Sequence, residues 1–121
     1  MNIPRLQRQP IDTFVYNQMR VKKCIYSGDL VNRIREIVSE ATGFDPYHKP
    51  QSLMSEYVKS RQLFMYFVRE YAKLSQYSTG RLIGKDHSTV VHAEKSVLKF
   101  KDIEKEYAKT FNLIETKILE L

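Results

Sequence analysis

Several residue types that mark secreted, membrane-bound or metal-centred proteins are scarce in this sequence. There is one cysteine, Cys24, which excludes an internal disulfide and any multi-cysteine metal site. A single reduced thiol fits the cytoplasm, and Cys24 is expected to be a packing residue rather than a nucleophile. No apolar run approaches the ~18 residues that a membrane helix needs. No apolar segment follows the basic start "MNIPRLQRQP", so no secretory leader is expected. Glycine and proline occur only four times each, and long stretches lack both, which points to helices. There is no internal repeat and no low-complexity segment.

What is present is an ordinary globular composition. The chain has 121 residues, so one domain with one modest core is expected. Hydrophobic residues make up 42% and charged residues 28%, as in a soluble protein. The formal charge is +6 and the sequence pI about 9.4. That balance favours a polyanionic partner, although a solvated basic surface accounts for charge alone equally well.

Residues 1–27 read as a basic N-terminal arm. Arg5, Arg8, Arg20, Lys22 and Lys23 stand against one acid, Asp12. Pro4 and Pro10 break any regular element at the start. "TFVYNQMRVKKCIY" has neither helical nor strand periodicity, so a short helix and an extended arm both stay open. Phe14, Val15 and Met19 are its apolar candidates for covering the core, meeting a protein partner or pairing with a second copy.

From residue 28 onward the pattern is helical. In "SGDLVNRIREIVSEATG", Leu30, Ile34, Ile37, Val38 and Ala41 form one apolar stripe, with Asp29 the expected N-cap and Gly43 the C-cap. "FDPYHKPQS" reads as a loop. Residues 52–74 form the expected longest helix. Met54, Tyr57, Val58, Met65, Val68 and Ala72 line its buried face, and Lys59, Arg61, Gln62, Arg69, Glu70 and Lys73 its exposed side. "SQYSTGRLIG" suits a short helix capped by Ser75 or Ser78. Val90, Ala93, Val97 and Phe100 mark another helix, and Ile103, Tyr107, Phe111, Ile114 and Ile118 a last one. No segment has a strand pattern, so the fold class is all-α.

The stretch "GKDHSTVVHA", residues 84–93, concentrates the residues that chemistry uses. A metal site fails on geometry. His87 and His92 are five apart, which turns their side chains about 140° from one another on a helix, whereas helical zinc pairs need i, i+4. A hydrolase fails too. Asp86, His87 and Ser88 are direct neighbours that diverge by ~100° each, and no nucleophile elbow is present. "GRLIGK" is one residue short between its glycines for a phosphate loop, and Asp86 rather than Ser or Thr follows the lysine. No catalytic residue, nucleotide, cofactor or metal is therefore expected, and no enzyme.

A helix-turn-helix at about 75–100 survives. It consists of a short helix, a Gly84 turn and a second helix opening with polar residues, the part that reaches base edges in a major groove. Asp86 can accept from a cytosine amino group, and serine or threonine can serve as donor or acceptor. The plainer role of Asp86, Ser88 and Thr89 is capping. His92, one turn further in, is expected to pack or bond internally.

"GKDHSTVVHA" closely resembles the signature G-R-D-H-[ST]-T-V-x-H-A of the C-terminal DNA-binding domain of the bacterial replication initiator DnaA. Upstream, "SRQLFMYFVREYAKLS" resembles the initiators' long helix, and "SQYSTGRLIG" their short helix, where they carry Ser-Leu-Pro-Glu-Ile-Gly. The likeness covers roughly residues 28–121. It implies a Trp-repressor-like helix-turn-helix fold that binds double-stranded DNA, controls replication or transcription, and lies with the nucleoid in the cytoplasm.

Carried over by position, the resemblance gives Asp86, His87 and Ser88 base contacts. It gives Arg61, Gln62, Arg69, Ser75, Gln76, Tyr77, Lys85 and Thr89 phosphate contacts. The initiators' arginine-rich loop, one arginine of which enters the minor groove, has no counterpart here. "GFDPYHKPQSLMSEYVKS" holds no arginine, and His48 and Lys49 are its candidates. The length leaves no room for the initiators' ATPase module, so no ATPase is expected. The rival expectation is an interaction or dimerisation module that kept the fold and lost specific DNA binding, with the arm as its contact.

Overall fold

A computed structural model describes residues 27–48 and 52–121. Residues 1–26 of the expected arm 1–27, and Lys49, lie outside the described residues, so the expectations placed on them do too. The described residues form helices α1 (Ser27–Thr42), α2 (Ser55–Phe67), α3 (Gln76–Leu82), α4 (His87–Ile103) and α5 (Lys105–Leu119). A π-helical segment, Val68–Ala72, continues α2. No strand occurs among the described residues, and the all-α expectation holds.

Each helix buries the stripe its sequence carries. Ile34, Ile37 and Val38 of α1 are buried, with Val31 added and Leu30 and Ala41 at the edge. The helix begins at Ser27, so Asp29 lies inside the first turn and favours the helix through its dipole rather than as the expected N-cap. Gly43 ends the helix as expected, its N–H donating to the Ser39 carbonyl at 2.8 Å.

α2 supplies the centre of the core. Leu63, Phe64, Phe67 and Val68 are fully buried and meet Val90 and Val97 of α4 and Phe111 and Ile114 of α5. Phe67 and Phe111 stack at a tilt, ring centroids 4.9 Å apart. α1 packs on α2 and α5, while α4 packs on α2, α3 and α5. The expected single helix over residues 52–74 is shorter and less regular than its pattern suggests. It starts at Ser55, leaving Met54 48% exposed, and after Phe67 the ladder widens to π spacing. It stops at Lys73, whose φ of 61° is left-handed. The Arg69 guanidinium holds the Leu74 carbonyl just beyond that stop at 3.0 Å. A period-3.6 pattern cannot register one widened turn, because the buried positions survive it.

Ile103 is a second difference. It belongs to the end of α4 and is 63% exposed, because the backbone turns extended at Glu104 (φ −123°, ψ 119°) before α5 begins. Tyr107, Phe111, Ile114 and Ile118 are buried as their spacing requires.

Candidate nucleic-acid interface

The turn between α3 and α4 is built from backbone hydrogen bonds. The Lys85 N–H donates to the Gly80 carbonyl at 2.8 Å, and the Gly84 N–H to the Arg81 carbonyl at 3.4 Å. These two bonds are the Schellman arrangement, which needs a left-handed residue, here Gly84 at φ +70°. The same turn brings the chain back against α3 so closely that a Cβ on Gly80 would overlap the Lys85 carbonyl oxygen and stand 3.1 Å from that of Asp86. Gly80 is thus the residue that lets α4 cross α3 at this distance.

Asp86 caps α4. Its Oδ1 accepts from the Thr89 N–H, the Thr89 hydroxyl and the Ser88 hydroxyl, each at 3.0 Å. The Thr89 backbone bond, then the two hydroxyls, hold the carboxyl below its usual pKa. Capping and exposure coexist here, since Asp86, His87, Ser88 and Thr89 are all exposed. The opening turn of α4 is a row of exposed polar side chains. Ser75 caps α3, its Oγ accepting from the Ser78 N–H at 3.0 Å.

No pattern in the sequence signals what ties the two helices together. Glu94 of α4 accepts from Arg69 Nε at 3.2 Å and from Gln76 Nε2 at 3.3 Å, while Arg69 also holds the Leu74 carbonyl. This network joins the π segment, the start of α3 and the middle of α4. Arg69 and Gln76, expected at phosphates, are both engaged with Glu94. Tyr77 of α3, which is 62% exposed, stacks on His87 of α4.

Two expectations need correction. Arg61 does not lie on the exposed side of α2. It is 6% exposed and donates to the Ser52 carbonyl at 2.6 Å, and burial lowers its pKa. Its position falls one turn before Phe64 and Met65, both buried, so it shares their face of the helix. His92 is not a core residue. The buried face of α4 is Val90, Ala93 and Val97, and a residue two past Val90 points about 200° away from it. His92 is exposed, makes only a long 3.5 Å contact with Ser96 Oγ, and lines a cleft of about 820 Å³ with Lys59, Gln62, Ser96 and Lys99.

The described part of the loop after α1 is fixed against α1. Arg35 pairs with both oxygens of Asp45 at 2.9 and 2.7 Å and lies 4.0 Å from the Tyr47 ring centre. The hydrogen bond from Arg35 is the largest cause of the lowered Asp45 pKa. His48 is exposed at the end of that loop, 5.8 Å from the Tyr57 ring. Among the described residues no group of three or more His, Cys, Asp or Glu side chains is placed to hold a metal ion. None of their helices is long and apolar enough to cross a membrane.

Fold and turn together define a helix-turn-helix protein, in which α3 and α4 are the paired helices. The family model described as "Bacterial dnaA protein helix-turn-helix" matches residues 31–97, more than half of the chain. The chain belongs to that family. Its relatives include the chromosomal replication initiator protein DnaA of Flavobacterium psychrophilum, 30% identical over 115 residues. That match covers 93% of this chain but 23% of the relative, so the chain spans about a quarter of the curated relative's length.

Proposed function

We propose that this protein binds double-stranded DNA in a sequence-specific manner, with the start of α4 in the major groove, and acts in the control of replication initiation. One observation carries the reading. The capped, exposed turn Asp86–Thr89 follows a rigid turn in a chain of the DnaA helix-turn-helix family. Asp86, His87 and Ser88 are the base-contacting side chains. Hydroxyls held by Asp86 can rotate to a base edge while its second oxygen accepts from a cytosine amino group.

Lys85, Thr89, Gln62 and Ser75 serve the flanking phosphates, and His92 joins them beside Gln62. Backbone contacts of this kind fix register without reading sequence. Arg69 and Gln76 contribute by holding α3 to α4, and Arg61 by fixing the approach to α2. The excess of lysine and arginine supplies the salt-dependent part of the affinity. The protein works by occupying DNA.

Selection from a random duplex library tests the proposal. The expected result is one enriched box. His87→Ala and Ser88→Ala then each cost about 1–3 kcal/mol at one or two of its base pairs. Recovery of no enriched motif overturns sequence-specific binding and favours the interaction-module reading.

A further inference from the structure

Tyr77 and His87 come from different helices, the second residue of α3 and the first of α4. Their ring centroids are 4.4 Å apart and their planes meet at 28°, an offset stack spanning the turn. Both side chains are exposed, Tyr77 at 62%, so neither is pressed into place by the core. Among the described residues the His87 side chain has no hydrogen bond, and the stack restricts its rotamer. An unstacked histidine at the first position of a helix would sample several rotamers and pay the ordering cost on binding.

We propose that Tyr77 is a positioning residue for His87, fixing the imidazole before DNA arrives so that the two residues discriminate bases as one unit. The inference rests on the DNA-reading proposal and goes beyond it, because it gives Tyr77 a specificity role instead of a phosphate contact through its hydroxyl. An aromatic pair of this kind corresponds to about 2- to 10-fold in affinity. That gain belongs to the base pairs His87 faces and not to the duplex at large.

Four variants, Tyr77→Phe, Tyr77→Ala, His87→Ala and the double alanine, separate the possibilities. Each is titrated against the selected box and its single-base-pair substitutions, and the His87 ring protons are followed by NMR without DNA. Tyr77→Phe should keep the wild-type base preferences and the ring-current shift of His87. Tyr77→Ala should abolish that shift and weaken discrimination at the same base pairs as His87→Ala. The double variant should lose no more than His87→Ala alone.

Additive losses, or His87 shifts unchanged in Tyr77→Ala, overturn the inference. So does a Tyr77→Phe variant that loses affinity equally on every duplex, since the hydroxyl would then be a phosphate contact. These failures leave the DNA-reading proposal standing. A wild-type protein that enriches no motif removes that proposal and this one with it.

Discussion

At the scale of single residues, two polar side chains inside the fold have opposite consequences. Thr79 is fully buried in α3, and its hydroxyl has no partner among the described residues. A buried hydroxyl without a hydrogen bond is a penalty that an isosteric methyl removes. Thr79→Val is therefore expected to raise stability by about 1–2 kcal/mol, read as a higher urea midpoint at unchanged m-value. Arg61 is the converse, a buried cation whose hydrogen bond to the Ser52 carbonyl ties down the approach to α2. Arg61→Ala should cost about 1–3 kcal/mol of stability. An unchanged melting temperature together with a smaller salt slope for DNA binding would show instead that Arg61 works on phosphates.

Residue patterns read the exposed turn Asp86–Thr89 well, because capping chemistry is local and depends on side-chain type at fixed spacing. They misplaced Arg61 and His92, whose surroundings are set by helices distant in sequence.

At the scale of elements, the crossing of α3 and α4 depends on Gly80. Gly80→Ala puts a methyl group against the Lys85 backbone, which has no side-chain freedom with which to give way. The expected loss is about 1–3 kcal/mol, with weaker binding to the selected box even where the variant is fully folded. Unaltered stability and affinity would mean that the turn can open without cost.

The end of the central helix makes the opposite prediction. Lys73 occupies a left-handed conformation that costs an L-residue about 1–2 kcal/mol. Lys73→Gly should recover up to about 1 kcal/mol in a denaturant titration. A destabilised variant would show that the lysine side chain contributes more than its backbone strain costs. The sequence did not reveal this stop, because neither glycine nor proline marks it. Arg69 and the packing of Ala72 hold the chain there instead.

At the scale of the whole molecule, two phenols bind the helical layers together and couple stability to pH. Tyr71 donates to Glu115 of α5 at 2.8 Å, and burial, then that bond, push its pKa up to about 12. Burial also raises the pKa of Tyr107. The unfolded chain releases these protons near pH 10, whereas the folded chain retains them. The folded state thus binds more protons above pH 10, and stability should fall as pH rises from about 10 towards 12. Urea unfolding of the wild type and Tyr71→Phe at pH 8 and pH 11 checks this. The variant should lose less stability across the interval, and equal losses would remove Tyr71 from the account. In the acid range the signs reverse for Asp45 and Asp86. Both are held below their usual values, so what they contribute is complete above the normal carboxylate pKa and is lost as pH falls through the lowered one.

The sequence by itself determined the helical class, the apolar stripes of α1, α4 and α5, the glycine turn and the capped polar opening of α4. Each of these follows from periodicity or from bonds between residues a few positions apart. Only the tertiary structure decided which faces are covered and at what angle α3 and α4 meet. The burial of Arg61, the exposure of His92, the Glu94 network and the Tyr77–His87 stack all join residues from different helices. Their geometry depends on how those helices dock, which no spacing along a single helix specifies. The signature marked the polar opening of α4 as the candidate for contact with DNA, and the docking of α3 sets Tyr77 against His87 there.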